Sequence, residues 1–258
     1  MNAENQRGVR IVVRNLRKSY GGRLVLKGIH FEVDRGEIFV IMGPSGSGKS
    51  VLLRHLIGLE KPDSGEILVE GESIHSPGIL NRYRAAMVFQ SGALLNSLTV
   101  AENVGLYLAE HRLKPPGEIR KIVIEKLRLL GLEDTADKLP AQLSGGMRKR
   151  VAVARALVMD PQLILYDEPT SELDPINAVT IGKEIVRLNR HIGATSIVVT
   201  HDRELGFGVG NRLAILLQGE IAAIGTAEEV RESRNPAVQE FLHPNFRFEP
   251  ATQSTAQP

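Results

Sequence analysis

Four short stretches of this 258-residue chain hold residues suited to chemistry on a phosphate. Gly43-Pro44-Ser45-Gly46-Ser47-Gly48-Lys49-Ser50 has the spacing G-x-x-x-x-G-K-S. A loop so rich in glycine wraps its backbone N–H groups around a polyphosphate, Lys49 sets a positive charge near the β- and γ-phosphates, and the Ser50 hydroxyl is a ligand for Mg²⁺. Asp167-Glu168 closes an apolar run. Asp167 is suited to hold Mg²⁺, directly or through water, and Glu168 to orient and deprotonate an attacking water. Ser144-Gly145-Gly146 opens a helix in which Ser144 is a natural N-cap. Glycines weaken a helix start, so something is expected to approach closely there. That end either binds an anion or is a plain beginning of a helix. His201 follows another apolar run and, taken alone, reads as a capping or surface residue.

The flanking pattern places these residues. Ile38-Phe39-Val40-Ile41-Met42 reads as a buried strand, and Val51, Leu52, Leu53, Leu56 and Ile57 recur as on a helix, so the phosphate loop joins strand to helix and faces the helix N-terminus. Leu163 to Tyr166 and Ser196 to Thr200 are further buried strands. The acidic pair then falls at the carboxyl edge of the sheet, beside the loop. Before the loop, Val9, Ile11 and Val13 alternate as on a strand, and Leu24, Leu26, Ile29, Phe31 and Val33 follow after a break at Tyr20-Gly21-Gly22. Glu66 to Gly71 and Ala86 to Phe89 are short strands, the second leading into Gln90.

The middle of the chain is helical. Thr99-Val100-Ala101-Glu102 is a capping box, and after Pro115-Pro116-Gly117 the residues Ile119, Ile122, Val123, Leu127 and Leu130 mark an amphipathic helix. Residues 91 to about 140 form a helical insert, and with the helix opened by Ser144 they make a helical part of about 91–160. Asp174-Pro175 starts a helix through about Ile192. Leu213 to Leu217 and Ile221 to Ile224 make a hairpin, and Thr226-Ala227-Glu228-Glu229 is a second capping box. Residues 243–258 are polar and proline-punctuated apart from Phe246 and Phe248, and are expected to lack order alone.

A net charge of +2 and a single compact basic run, Arg148-Lys149-Arg150, argue against nucleic acid as a partner. Disulfides are excluded, since there is no cysteine. Met1 to Arg10 has no apolar signal-peptide core, and no apolar stretch approaches the roughly 20 residues that span a bilayer. Any service to a membrane therefore goes through a partner.

The order phosphate loop, Gln90, Leu143-Ser144-Gly145-Gly146, Asp167-Glu168, Ser171-Glu172-Leu173-Asp174, His201 resembles the ATP-binding-cassette (ABC) ATPases from about residue 9 to 242. The resemblance implies an α/β fold of the ABC-type P-loop NTPase, with a RecA-like core, an N-terminal antiparallel β subdomain and the helical subdomain, spanning 1–242 with a tail over 243–258. It implies ATP and Mg²⁺ as ligands, ATP hydrolysis coupled to transport, and a homodimer. Within it Tyr20 matches the residue that stacks on adenine, Gln90 the one that reaches Mg²⁺ or the attacking water, and His201 the one that contacts the γ-phosphate. Two cassettes of that family pair head to tail, so Ser144, Gly145 and Gly146 of one chain would complete the ATP site of the other. The family's position for Glu172 is usually small. Here it adds negative charge where the two chains would approach.

Gln90-Ser91-Gly92-Ala93-Leu94, Ser97-Leu98-Thr99-Val100 and Leu143 to Arg150 are most similar to ABC ATPases of the Mla type, which work with MCE proteins to move phospholipid between bacterial membranes. That resemblance implies an integral-membrane permease, an MCE lipid-binding protein and a STAS-domain protein as partners, a place on the cytoplasmic face of the inner membrane, and a tail that docks across the dimer or on a partner. The alternatives are the ATPase of a small-solute importer and a non-transport cassette acting on DNA or ribosomes. The latter usually has a long coiled-coil insertion or two cassettes in one chain, and this sequence has neither.

Overall fold

The computed structural model describes residues 7–244, so the expected docking tail with Phe246 and Phe248 lies outside the described residues. In chain order the elements are β1 (Ile11–Tyr20), β2 (Arg23–Val33), β3 (Ile38–Met42), α1 (Lys49–Leu56), β4 (Ser64–Val69), β5 (Glu72–Ser73), α2 (Ile79–Arg82), β6 (Ala85–Val88), α3 (Val100–Glu110), α4 (Pro116–Leu129), α5 (Gly145–Leu157), β7 (Leu163–Asp167), α6 (Pro175–Ile192), β8 (Thr195–Thr200), α7 (Arg203–Val209), β9 (Arg212–Leu217), β10 (Glu220–Gly225), α8 (Ala227–Arg231) and α9 (Pro236–Leu242).

The strands form two sheets, one of four in the order β2-β1-β4-β5 and one of six in the order β10-β9-β3-β8-β7-β6. The small sheet is antiparallel. In the large one β9, β3, β8, β7 and β6 run parallel, with Met42 opposite Thr200 and Asp167 opposite Val199. Parallel strands end on one side, so the loops after Met42, Thr200, Asp167 and Val88 share a single edge, where open α/β sheets place their ligands.

Both faces of the large sheet are covered, which is why its strands read as unbroken apolar runs. Phe39 and Ile41 pack into one core with Leu52 and Leu53 of α1, Leu165, Val199 and the small sheet. Their neighbours Val40 and Met42 point the other way, into a second core with Ile164, Tyr166, Val198 and the helices from α3 to α6. One-residue alternation thus serves two cores from one strand. α3, α4 and α5 pack on one another. Thr99 and Glu102 form the expected capping box, as do Thr226 and Glu229. Pro116 is the first residue of α4, where its missing N–H costs nothing, so the proline pair begins a helix as well as separating two.

Candidate functional site

The phosphate loop turns from β3 into α1, whose cap residue Gly48 has φ +107° and offers no side-chain hydrogen bond to the first turn. The N–H groups of that turn therefore still point toward the loop. A Cβ placed on Gly46, at φ +80°, would meet nothing within 4 Å, so the crown of the loop faces open space. Lys49 is 7% exposed. Its ammonium donates to the carbonyls of Gly43 at 2.7 Å and Pro44 at 3.0 Å, and lies 3.6 Å from Glu168 Oε1. Burial pushes its pKa down, and the charge of Glu168 opposes that shift. Ser50 is exposed one residue further on, while the Ser47 hydroxyl is buried without a partner.

Glu168 stands just beyond β7 with φ +45°, a left-handed conformation uncommon for a side chain of this size. The backbone is held there by the bond from Glu168 N–H to the carbonyl of Val199 at 2.8 Å. Glu168 Oε2 accepts three hydrogen bonds: from the Thr200 hydroxyl at 3.1 Å, from His201 N–H at 3.1 Å and from His201 Nδ1 at 2.9 Å. An acceptor-only carboxylate assigns the ring hydrogen to Nδ1, leaving Nε2 free to face outward from a side chain that is 58% exposed. Thr200 and His201 therefore aim the carboxylate, and Thr200 is a member of the site that strand patterning did not single out. Asp167 precedes it with Oδ1 buried and unpartnered. Burial first, and the adjacent Glu168 second, hold its carboxyl above the usual range. Beside these groups a cavity of about 430 Å³ is lined by Thr170 to Leu173 and His201 to Glu204.

Gln90 is exposed past the end of β6, one strand beyond β7. Its backbone carbonyl accepts a hydrogen bond from Lys149, which also donates to the Ser171 hydroxyl at 3.1 Å. Ser144 caps α5 as expected, accepting from Met147 N–H at 3.3 Å. The close approach expected of its glycines exists within the chain, since a Cβ on Gly146 would lie 2.9 Å from Asn177 Oδ1 and one on Gly145 3.4 Å from Leu173. The reason is that α6 starts beside α5: Asp174 caps α6 through Ile176 N–H and Asn177 N–H, both at 3.0 Å, and also holds the Asn177 amide. Among the described residues, no hydrogen bond or ion pair joins Ser144, Gly145 or Gly146 to the phosphate loop.

Tyr20 ends β1, 40% exposed, with the Lys18 ammonium 5.5 Å from its ring centre. Its hydroxyl donates to Glu60, which also pairs with Arg54 at 3.2 Å and Lys18 at 3.3 Å. Burial opposes ionisation of Glu60, but hydrogen bonds from Tyr20, Arg54 and Lys18 outweigh it and hold the carboxyl down at about 2. This anchor holds the ring in place, and no sequence pattern announced it.

The geometry gathers Lys49, Glu168, Asp167 and His201 at one sheet edge with Gln90 one strand away, and among the described residues no hydrogen bond or ion pair joins Tyr20, Ser144, Gly145 or Gly146 to them. Such an edge offers a cradle for phosphate, a fixed carboxylate and an unsatisfied acidic oxygen. Among the described residues no three His, Cys, Asp or Glu cluster as a metal cage, and no helix is long and apolar enough to cross a membrane. Mg²⁺ needs no such cage, as it binds through one or two protein oxygens together with substrate phosphates, and the orphaned Asp167 Oδ1 fits that role.

A family model described as ABC transporter matches residues 26–171. The probable ribonucleotide transport ATP-binding protein mkl of Mycobacterium leprae is 40% identical over 240 residues, spanning 92% of this chain and 69% of that protein. The intermembrane phospholipid transport system ATP-binding protein MlaF of Haemophilus influenzae is 39% identical over 236 residues, spanning 90% of this chain and 89% of that protein. A solved ATP-binding cassette, a dimer in a post-hydrolysis state bound to ADP and Pi, aligns with a TM-score of 0.75 and 34% identity over 84% of this chain and 98% of its own.

Proposed function

The chain belongs to the ABC transporter family of ATPases, and from that membership we propose that it is the ATP-hydrolysing subunit of a complex that moves phospholipid between the inner and outer membranes of a bacterium. One observation carries the choice of substrate. The match to the phospholipid-transport relative runs through 89% of that protein, whereas the ribonucleotide-transport relative is covered over 69%. In this reading residues 1–242 are the ATPase domain, with the helical subdomain at about 91–160. Two copies pair head to tail on the cytoplasmic face of the inner membrane, against an integral-membrane permease, with an MCE lipid-binding protein and a STAS-domain protein in the same complex.

Each residue then has a task that its position favours. Backbone N–H groups of the loop between Ser45 and Ser50 bind the phosphates, and Lys49 moves from the carbonyls of Gly43 and Pro44 toward the γ-phosphate. Glu168 takes a proton from water as the water oxygen bonds to the γ-phosphorus and the bond to the β–γ bridging oxygen breaks, releasing ADP and phosphate. Thr200 and His201 keep its carboxylate aimed, and His201 Nε2 faces the γ-phosphate. Tyr20 stacks on adenine, and Ser144, Gly145 and Gly146 close over the nucleotide of the partner. Ser50, Asp167 and Gln90 would hold Mg²⁺, which neutralises phosphate charge when bound. The carrying geometry is the triad of bonds to Glu168 Oε2 beside Lys49.

Isolation of the intact complex from native membrane tests the substrate. A permease and MCE protein with bound phospholipid is the expected result. A permease with a solute-binding subunit and no lipid would assign the chain instead to a small-solute importer, the reading that the ribonucleotide-transport relative favours.

A further inference from the structure

Each member of the run Arg148-Lys149-Arg150 donates to a backbone carbonyl, although Arg148 stays exposed. Arg148 braces the carbonyl of Leu143 at 2.8 Å and Arg150 that of Leu130 at 3.0 Å. Lys149 is the buried one, 6% exposed, on the turn of α5 that follows Ser144, Gly145 and Gly146. A lysine stem is long enough to carry its ammonium to water, and a buried ammonium is unfavourable unless several acceptors surround it. Here it stays inside and bonds two loops that leave the sheet edge: the carbonyl of Gln90 after β6, and the hydroxyl of Ser171 three residues beyond Glu168. Burial lowers its pKa, while the charges of Glu172, Asp167 and Glu168, in that order, sustain its proton. Glu172 thus makes the largest charge contribution among the carboxylates that favour a cation there. Six residues along α5, Arg155 donates to the carbonyls of Gly92 at 2.7 Å and Ala93 at 2.6 Å. The strip from Gln90 to Ala93 is therefore fastened to α5 by two cations.

We propose that Lys149 is a positioning residue that locks the Gln90 and Ser171 loops of one ATP site to the Ser144-Gly145-Gly146 helix end, which that same protomer presents to its partner's ATP, and so couples the two sites. The proposal rests on the head-to-tail dimer described above. Gln90 and Glu168 act on the protomer's own nucleotide and the tip of α5 on the other, and the ammonium is a charged side-chain link between the loops that carry them and α5. Movement of either loop on binding ATP is carried to α5 through hydrogen bonds to a charged donor, which are the stronger kind.

The test uses the full-length chain in its complex. Lys149→Met keeps the stem and removes the charge. It is expected to bind ATP within about twofold of the parent while kcat falls roughly ten- to a hundredfold at unchanged KM, the range for a lost charged hydrogen bond realised in the transition state. The Hill coefficient for ATP falls from about two to one. Lys149→Arg, which retains charge and donors, recovers part of both, whereas a merely structural defect would lower the amount of folded protein and leave kcat, KM and cooperativity of the remainder alone. Ser171→Ala, which opens one bond without exposing the site, shifts kcat and the Hill coefficient in the same direction by a smaller factor and decides the matter should Lys149→Met not fold. Parental kcat and Hill coefficient in Ser171→Ala and in any folded Lys149→Met overturn the proposal. The dimer beneath it is read separately: Glu168→Gln with Lys149 intact should pair on adding ATP, and if it stays single the head-to-tail reading itself fails.

Discussion

Replacing Glu168 by glutamine separates its two possible uses, as a base and as a strut. The carboxylate accepts three hydrogen bonds on Oε2 and faces Lys49 with Oε1 at 3.6 Å. A glutamine can keep its amide oxygen toward Thr200 and His201, so the left-handed backbone and its anchors survive. What disappears is the basic oxygen and the attraction for Lys49. A positioned general base supplies about 10²- to 10⁴-fold in rate, so kcat should fall at least about 100-fold, close to 2.7 kcal/mol in the barrier. The attraction at this separation is worth about 4.6 kcal/mol at an effective dielectric constant of 20, and desolvation of both groups offsets most of it. Since Lys49 must turn from Glu168 to the γ-phosphate, losing that competitor leaves ATP binding unchanged or tighter by up to about tenfold. Phosphate release measured alongside equilibrium binding of labelled ATP reads both quantities. A Glu168→Gln enzyme within about threefold of the parental kcat would refute the base, and one that binds ATP more than about tenfold weaker would show that the carboxylate builds the pocket instead.

Lys49→Ala removes the one ammonium inside the loop, and ATP binding should weaken about ten- to a hundredfold, the value of a charge-assisted bond, in the same binding assay. Asp167→Asn should raise the unfolding midpoint of the nucleotide-free protein at pH 7.5. The raised pKa of Asp167 means that its folded state prefers the proton, so its charge opposes folding at neutral pH and ceases to do so as the pH falls toward the unfolded value of 3.8. The gain should therefore shrink between pH 7.5 and pH 4 in thermal melts, and a loss of stability at neutral pH would contradict the burial argument. Glu60 has the opposite sign. With its carboxyl held at about 2, against 4.5 unfolded, its contribution is complete above pH 4.5 and lost on acidification toward pH 2. Glu60→Gln should flatten the acid limb of the stability curve in that window, and an unchanged limb would remove the Tyr20 anchor from the account.

Much of the site was legible in one dimension because phosphate chemistry is bound by local spacing. Strand, glycine loop and helix must be consecutive for N–H groups to converge on one point, so Gly43 to Ser50 declare themselves. Asp167 and Glu168 are found by a related rule: apolar runs with both faces covered end at one edge, and a polar residue just after such a run faces that edge. His201 taken alone reads as a cap or surface residue, and only the family resemblance singles it out. Caps were readable too, since Thr99 with Glu102, Asp174 with Pro175 and Ser144 bond within four residues.

Contacts between elements distant in sequence were not. Lys149 and Gln90 are 59 residues apart, Lys149 and Ser171 22, and Tyr20 and Glu60 40. A basic triplet looks the same in sequence whether it meets solvent, nucleic acid or three backbone carbonyls. The sheet order sets β6, β7 and β8 side by side although α3, α4, α5 and α6 separate them in the chain, and α6 starting beside α5 puts Asn177 against Gly146. Spacing in the sequence therefore singled out the groups proposed to meet the phosphate. Packing alone decided which groups hold those residues in place, because a buried charge takes its partners from whatever backbone the fold brings within about 3 Å.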